Sequence, residues 1–439
     1  MAKVKYPNYL QNLLPGIEKV FFKNKFLPDF IFFLVVVALP SSFFNFIPKT
    51  IFIDLRLFFL LVSLLYLVFN IKYLKKITKI KGGNLLLFVV GFILFQIIYS
   101  ITIQNIPNLE VIKVFRANFY YPIVTLGFLL YAAKMDNSRL YRFFYWLLWV
   151  SFAQGVLYII ANLTGIDFYA NAYKEFYEFD GKTIVQNLEA LPVYNMILFS
   201  FCIITVLTVP NYKKHWLWIT PLLVTVISIV RNQMVVHVLI LILFYFLGNL
   251  SSLKIRSSKI IKASFVGVLF ASIAFMIFPE HIGRVINKFG FDKEQNINVS
   301  NYTEEGTYKV RLDMIEDAYT RTEKKNNLLL GNGYIRESDY GRRDLVFTGD
   351  TLISPVIYTE GLLGIFIRCL PILYFLYFGF KNFRKNNNKL ALFSLVILVM
   401  IIPELVNIVQ TTIFVFYHHY LFVFYLLMMI LHNDKKIKM

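Results

Sequence analysis

Residues 84–103 read Asn84-Leu-Leu-Leu-Phe-Val-Val-Gly-Phe-Ile-Leu-Phe-Gln-Ile-Ile-Tyr-Ser-Ile-Thr-Ile103, without a single charge. A helix needs about 20 apolar residues to cross a hydrocarbon layer about 30 Å thick, and stretches of this kind recur along nearly the whole chain. Transmembrane β-strands would alternate in polarity instead. The pattern therefore predicts an all-α, polytopic integral membrane protein. Apolar windows read against Gly, Pro and Lys/Arg punctuation give about twelve spans. They are residues 28–48, 51–71, 84–103, 117–133, 143–163, 190–209, 216–230, 233–248, 263–279, 351–378, 390–408 and 413–431. Composition agrees, since 58% of the 439 residues are hydrophobic and 16% are charged, less charge than a soluble domain carries.

The formal charge is +19, and its placement argues against nucleic acid as a partner. With the N-terminus inside, the inner segments hold Lys3, Lys5, Lys19, Lys23 and Lys25, then Lys72, Lys75, Lys76, Lys79 and Lys81. Lys134, Arg139 and Arg142 follow, and further groups at 213–214, 254–262, 381–389 and 435–438 bring the total to 26 of the 45 basic residues. Residues 280–349 carry eleven basic and twelve acidic residues, and a segment of this length crosses regardless of charge. Both termini are thus expected in the cytoplasm, with 104–116, 164–189 and 280–349 outside. The chain divides into nine helices over 1–279, the long loop 280–349, and three helices with a tail over 350–439. Its first apolar run carries no small-residue cleavage site and reads as a retained helix rather than a signal peptide. Cys202 and Cys369 fall within spans and read as packing residues. In the smaller outer loop Tyr169, Tyr173, Phe176, Tyr177 and Phe179 interleave with Asp167, Glu175, Glu178 and Asp180. Such a mixture suits sugar faces or an interfacial aromatic belt. No internal repeat of the transporter kind is apparent.

An ionisable side chain at membrane depth asks for a partner or a task. Arg231, Asp350, Glu360, Arg368, Glu404, His237, His418 and His419 qualify, most of them near the outer end of a span. Arg231, in Ser228-Ile-Val-Arg231, splits one apolar stretch into two short helices, and a snorkelling arginine is the plain alternative. Arg116 stands at an outer helix start. Glu360, Arg368 and Glu404 read as structural ion pairs, and His237 as a core or interface histidine. His418 and His419 project in different directions, with no third ligand at zinc-type spacing. Residues 308–325 have helical periodicity, with Val310, Met314, Ala318 and Tyr319 near one face. That helix is expected on the membrane surface, with Arg311 bordering its apolar face.

At these positions the chain resembles the O-antigen polymerase and O-antigen ligase (Wzy/WaaL) superfamily of membrane glycosyltransferases. The pattern comprises Ser228 and Arg231 at a short outer turn, Arg311 opening a loop helix, and Leu329-Leu-Gly331-Asn-Gly333-Tyr about twenty residues on. A polar pair, Asp350-Thr351, then precedes Gly361-Leu-Leu-Gly364. The resemblance covers about residues 100–431. Ligase-type members carry His-Asn at the polar pair, so Asp350 points to the polymerase branch.

The resemblance implies a GT-C-like helical membrane fold acting at the outer face of a bacterial inner membrane. Donor and acceptor would be glycans on undecaprenyl diphosphate, with membrane lipid around them and a chain-length regulator as a candidate partner. Arg231 and Arg311 would hold and stabilise the departing diphosphate, with Arg116 as a further binding residue, because guanidiniums grip phosphate oxygens bidentately. Asp350 would take the proton of the attacking sugar hydroxyl. No Asp-x-Asp occurs anywhere in the sequence, so catalysis is expected to need no metal or cofactor. Gly331-Asn-Gly333 reads as a turn rather than a phosphate loop, since no Lys-Ser/Thr follows. A ligase, a lipid-linked oligosaccharide flippase and a non-catalytic partner are the remaining readings.

Overall fold

A computed structural model describes residues 26–34, 49–164, 174–179, 182–188, 195–201, 219–228, 231–251, 307–334, 353–386, 388–406 and 417–436. These are helical apart from one β-hairpin and short connections. In chain order the elements are α1 (Phe26–Phe33), α2 (Lys49–Phe69), α3 (Leu74–Thr78), α4 (Gly83–Thr102), α5 (Asn108–Ala132) and α6 (Asn137–Thr164). Next come β1 (Lys174–Phe179), β2 (Lys182–Leu188), α7 (Ile219–Ser228), α8 (Arg231–Leu250) and α9 (Thr307–Lys324). The last three are α10 (Ile353–Asn382), α11 (Asn388–Val406) and α12 (Tyr417–Lys436). Among the described residues, α4, α6 and α10 are each long and apolar enough to cross a membrane. Helix occupies part of every expected span except 263–279, which lies outside the described residues.

Burial sorts the helices into layers. Residues 391–401 of α11 and 420–430 of α12 are buried on every side, as befits helices at the centre of a bundle that are apolar all round. On α2 and α4 the opposite holds, with Phe69 78% exposed and Phe58, Val68, Phe88 and Ile98 more than half exposed. A contiguous apolar surface of this kind is costly in water and natural against acyl chains.

The two ends of the bundle differ. At one end the basic segments meet: buried Asp29 of α1 accepts hydrogen bonds from Arg139 Nε at 2.9 Å and Tyr131 Oη at 2.8 Å, with Arg142 Nη1 at 3.5 Å. Lys134 Nζ donates to Asn70 Oδ1 at 3.2 Å, and Lys81 lies over the Phe378 ring. At the other end, residues 328–334 pack between the last turns of α4 and the first turns of α10.

The hairpin is a finding about the segment 164–189. β1 and β2 pair antiparallel from Lys174↔Leu188 to Phe179↔Lys182, with an irregularity between Glu175 and Phe176. β2 lies against α6 and α7.

Candidate functional site

α10 is interrupted. At Gly361 the backbone takes φ 69° and ψ −169°, a region essentially reserved for glycine. The segment 328–333 runs into the gap. Asn332 N donates to Tyr358 O at 2.7 Å and Gly333 N to Thr359 O at 3.0 Å, while Leu362 N and Leu363 N donate to Leu328 O and Leu329 O at 3.0 and 3.1 Å. The loop thereby supplies the donors and acceptors that the broken turn lacks, which matters where no water can. A methyl group on Gly361 would lie 2.4 Å from Leu329 O, and one on Gly331 would lie 2.4 Å from the Thr359 carbonyl carbon. Two backbones approach too closely here for any side chain. The remaining amides are also taken, Gly331 N by Asn327 O at 2.7 Å and Tyr334 N by Ser100 Oγ at 2.9 Å. With the amides of 331–334 all engaged by protein, Gly331-Asn-Gly333 is a docking turn and has no free N–H fork for a phosphate.

Beneath the seam lies a buried polar triad. Glu360 is fully buried, and Arg368 Nε donates to its Oε2 at 2.8 Å, with Nη2 on Oε1. Tyr334 Oη donates to the same Oε1 at 2.9 Å. A Cβ on Gly364 would meet Glu360 Cβ at 2.3 Å, so the second glycine of the Gly-x-x-Gly makes room for the carboxylate. Burial pushes the Tyr334 phenol well above its ordinary pKa, and the adjoining Glu360 carboxylate adds to the shift. α4 ties down the loop from its other side: Gln96 Nε2 donates to Leu330 O at 3.1 Å and Tyr99 Oη to Gly331 O at 3.2 Å. The expected Glu360–Arg368 pair is therefore present and gains Tyr334 as a third member. Glu404 is engaged by Tyr420 Oη at 3.4 Å.

The loop seam holds α9, the helix of Arg311. Met314, Ala318 and Thr322 are buried at successive turns. Ile315 and Ala318 pack with Ile353, Ile357, Tyr358 and Ile365 of α10, and Lys325 Nζ donates to Tyr358 Oη at 3.0 Å. The apolar face expected on the membrane surface is instead docked on protein, and Tyr319, expected on that face, is exposed. Arg311 stands half-buried one turn before Ile315, on a helix fastened to the opening turns of α10. Asp350 precedes α10 by three residues and lies outside the described residues.

Arg231 is the first residue of α8 and Ser228 the last of α7, so the expected division of that apolar stretch is present. Arg116 departs from expectation: α5 begins at Asn108, which places Arg116 well inside the helix rather than at its start. The side chains of Arg116 and Arg231 lie outside the described residues. His237 is buried with its ring 4.8 Å from that of Phe199, a core histidine as expected. Sequence reasoning missed Gln96, Tyr99, Ser100 and Tyr334. Their signal was available, since three polar groups at i, i+3 and i+4 share one face of an otherwise apolar helix. Neither a protein-family model nor a curated protein matches the chain.

Proposed function

We propose that the chain is a polysaccharide polymerase of the O-antigen or capsule type. In this reading about twelve spans form a GT-C-like bundle in a bacterial inner membrane, with both termini cytoplasmic and 280–349 at the outer face. A glycan is moved from undecaprenyl diphosphate to the terminal sugar of a second lipid-linked repeat unit. The acceptor hydroxyl attacks the anomeric carbon, the bond from that carbon to the diphosphate oxygen breaks, and the diphosphate leaves with the electron pair. Asp350 accepts the hydroxyl proton. Arg231 and Arg311 neutralise the charge growing on the leaving diphosphate, with Arg116 as a further phosphate contact.

The observation that supports this reading is the fastening of α9 to α10. Ile315 and Ala318 pack with Ile353 and Ile357, so the helix that carries Arg311 one turn before Ile315 is fastened to the helix that opens three residues after Asp350. A cation carried on a helix packed against the one that follows Asp350 in sequence suits a reaction in which a proton is taken and an anion departs.

Purified protein given outer-face donor and acceptor lipids should make a polymer ladder, with no loss of rate when divalent cations are chelated. Asp350→Asn, Arg231→Ala and Arg311→Ala should each lower the rate by about a hundredfold or more at normal protein level. Near-normal polymer from all three would refute the assigned roles. In a deletion strain, unpolymerised lipid-linked repeat units should accumulate. Long chains persisting on the carrier would move the assignment to a ligase, and failure of the pure protein with authentic substrates would move it to a flippase.

A further inference from the structure

Between α2 and α4 the chain makes a tight turn at Ile71–Tyr73 and then the short α3. Ile77 and Ile80 are buried beneath it, while Lys72, Lys75, Lys76, Lys79 and Lys81 face outward. Three ammonium groups converge on a single ring. Lys72 Nζ lies 5.2 Å, Lys76 Nζ 4.7 Å and Lys134 Nζ 5.1 Å from the Tyr73 centroid, the last reaching over from the end of α5. Among the described residues no carboxylate forms an ion pair with any of the three. Lys134 Nζ also donates to Asn70 Oδ1 at 3.2 Å, but a tyrosine face and an amide oxygen offset cations only modestly, so three like charges stand around one ring with no anion among the described residues to balance them.

The flank of this cluster identifies the occupant. Phe69 is 78% exposed, and Val68 and Ile71 are each 63% exposed. A soluble anion would gain nothing from that apolar edge. An anion carrying acyl chains satisfies both features, with its phosphate among the ammoniums and its chains along Val68, Phe69 and Ile71. We propose that Lys72, Lys76 and Lys134, gathered around Tyr73, bind the phosphate of an anionic phospholipid headgroup at the basic end of the bundle. The site lies at the end opposite the loop seam and stands whether or not the chain is a polymerase.

The full-length protein in detergent, titrated with fluorescent phosphatidylglycerol, should bind it in preference to phosphatidylcholine. Lys72→Gln/Lys76→Gln/Lys134→Gln together should weaken that binding by about tenfold or more, whereas Lys75→Gln/Lys79→Gln/Lys81→Gln, with equal loss of charge, should change it by less than about twofold. Replacing the first three by Arg should preserve binding, which separates loss of charge from loss of structure. Equal weakening in the two Gln triples would reduce the effect to diffuse surface charge and overturn the site. Unchanged binding in the first triple would overturn it directly. Displacement of the lipid by inorganic phosphate at equal concentration would show that the acyl chains contribute nothing, and would overturn the lipid assignment.

Discussion

Gly361 sits where the backbone of α10 meets that of the 328–333 segment. Its φ of 69° combined with ψ of −169° is essentially reserved for glycine, and an added Cβ would collide with Leu329 O at 2.4 Å. Gly361→Ala should therefore expel the 328–333 segment, lowering the melting temperature in detergent and exposing that segment to protease nicking at concentrations the wild type resists. An unchanged melting curve and digestion pattern would show that the interrupted turn is not held by this seam. Glu360→Gln leaves Arg368 buried beside a neutral amide, a change that costs about 3–5 kcal/mol in comparable buried pairs. Denaturation of the variant should show a deficit of that order. Tyr334→Phe should cost about 1.5–3 kcal/mol, the worth of a hydrogen bond to a charged group. That deficit should depend on pH. The Tyr334 phenol is raised in the folded protein, so the folded state holds its proton more tightly than the unfolded chain does. Its stabilisation is complete below about pH 10, the ordinary phenol value, and declines above it as the unfolded chain ionises. The gap between wild type and Tyr334→Phe should be constant from neutral pH to that point and narrow beyond it.

At the level of elements, the apolar helices were legible because a run of uncharged residues as long as 84–103 has few alternatives to helix. The hairpin was less legible, although Asp180-Gly181 between aromatic runs is a hairpin signature. Its interleaved carboxylates and aromatics suit sugar faces or an interfacial belt as readily as the alternating faces of two strands. The seat of α9 was misread for a related reason. Periodicity reports that a helix has an apolar face, and both lipid and protein can cover such a face. Here Ile357 and Tyr358 cover it. The Gly-x-Gly and Gly-x-x-Gly were visible as motifs, but their joint purpose, one backbone threading a break in another, needs contacts between residues more than two dozen positions apart. Ala318 is the element-scale test, being fully buried against α10. Ala318→Phe overpacks that contact by about 1–3 kcal/mol and should unseat α9 without touching Arg311. If the proposed chemistry is right, polymer synthesis should fall by at least about tenfold at normal protein level, because displaced catalytic groups lose effective molarity steeply. Full activity in a folded Ala318→Phe protein would mean that the placement of α9 does not govern the reaction.

For the whole molecule, polarity along the bundle axis is the property that joins sequence to the proposed function. The lysines following α2 and α5 and the arginines opening α6 meet at one end. The seam of 328–334 and the hairpin at the far end of α6 occupy the other. The positive-inside rule leads us to expect the first end in the cytoplasm, and the proposed lipid-diphosphate reaction needs the second to be outside. Cysteine labelling distinguishes this topology from its reverse. In a background with Cys202 and Cys369 replaced by Ala, Lys79→Cys should react with a membrane-impermeant maleimide only after cells are permeabilised. Lys324→Cys, exposed at the end of α9, should react in intact cells. The reverse pattern would place Arg311 in the cytoplasm, on the wrong side for a glycan already carried across the bilayer, and would end the polymerase reading together with the topology it rests on.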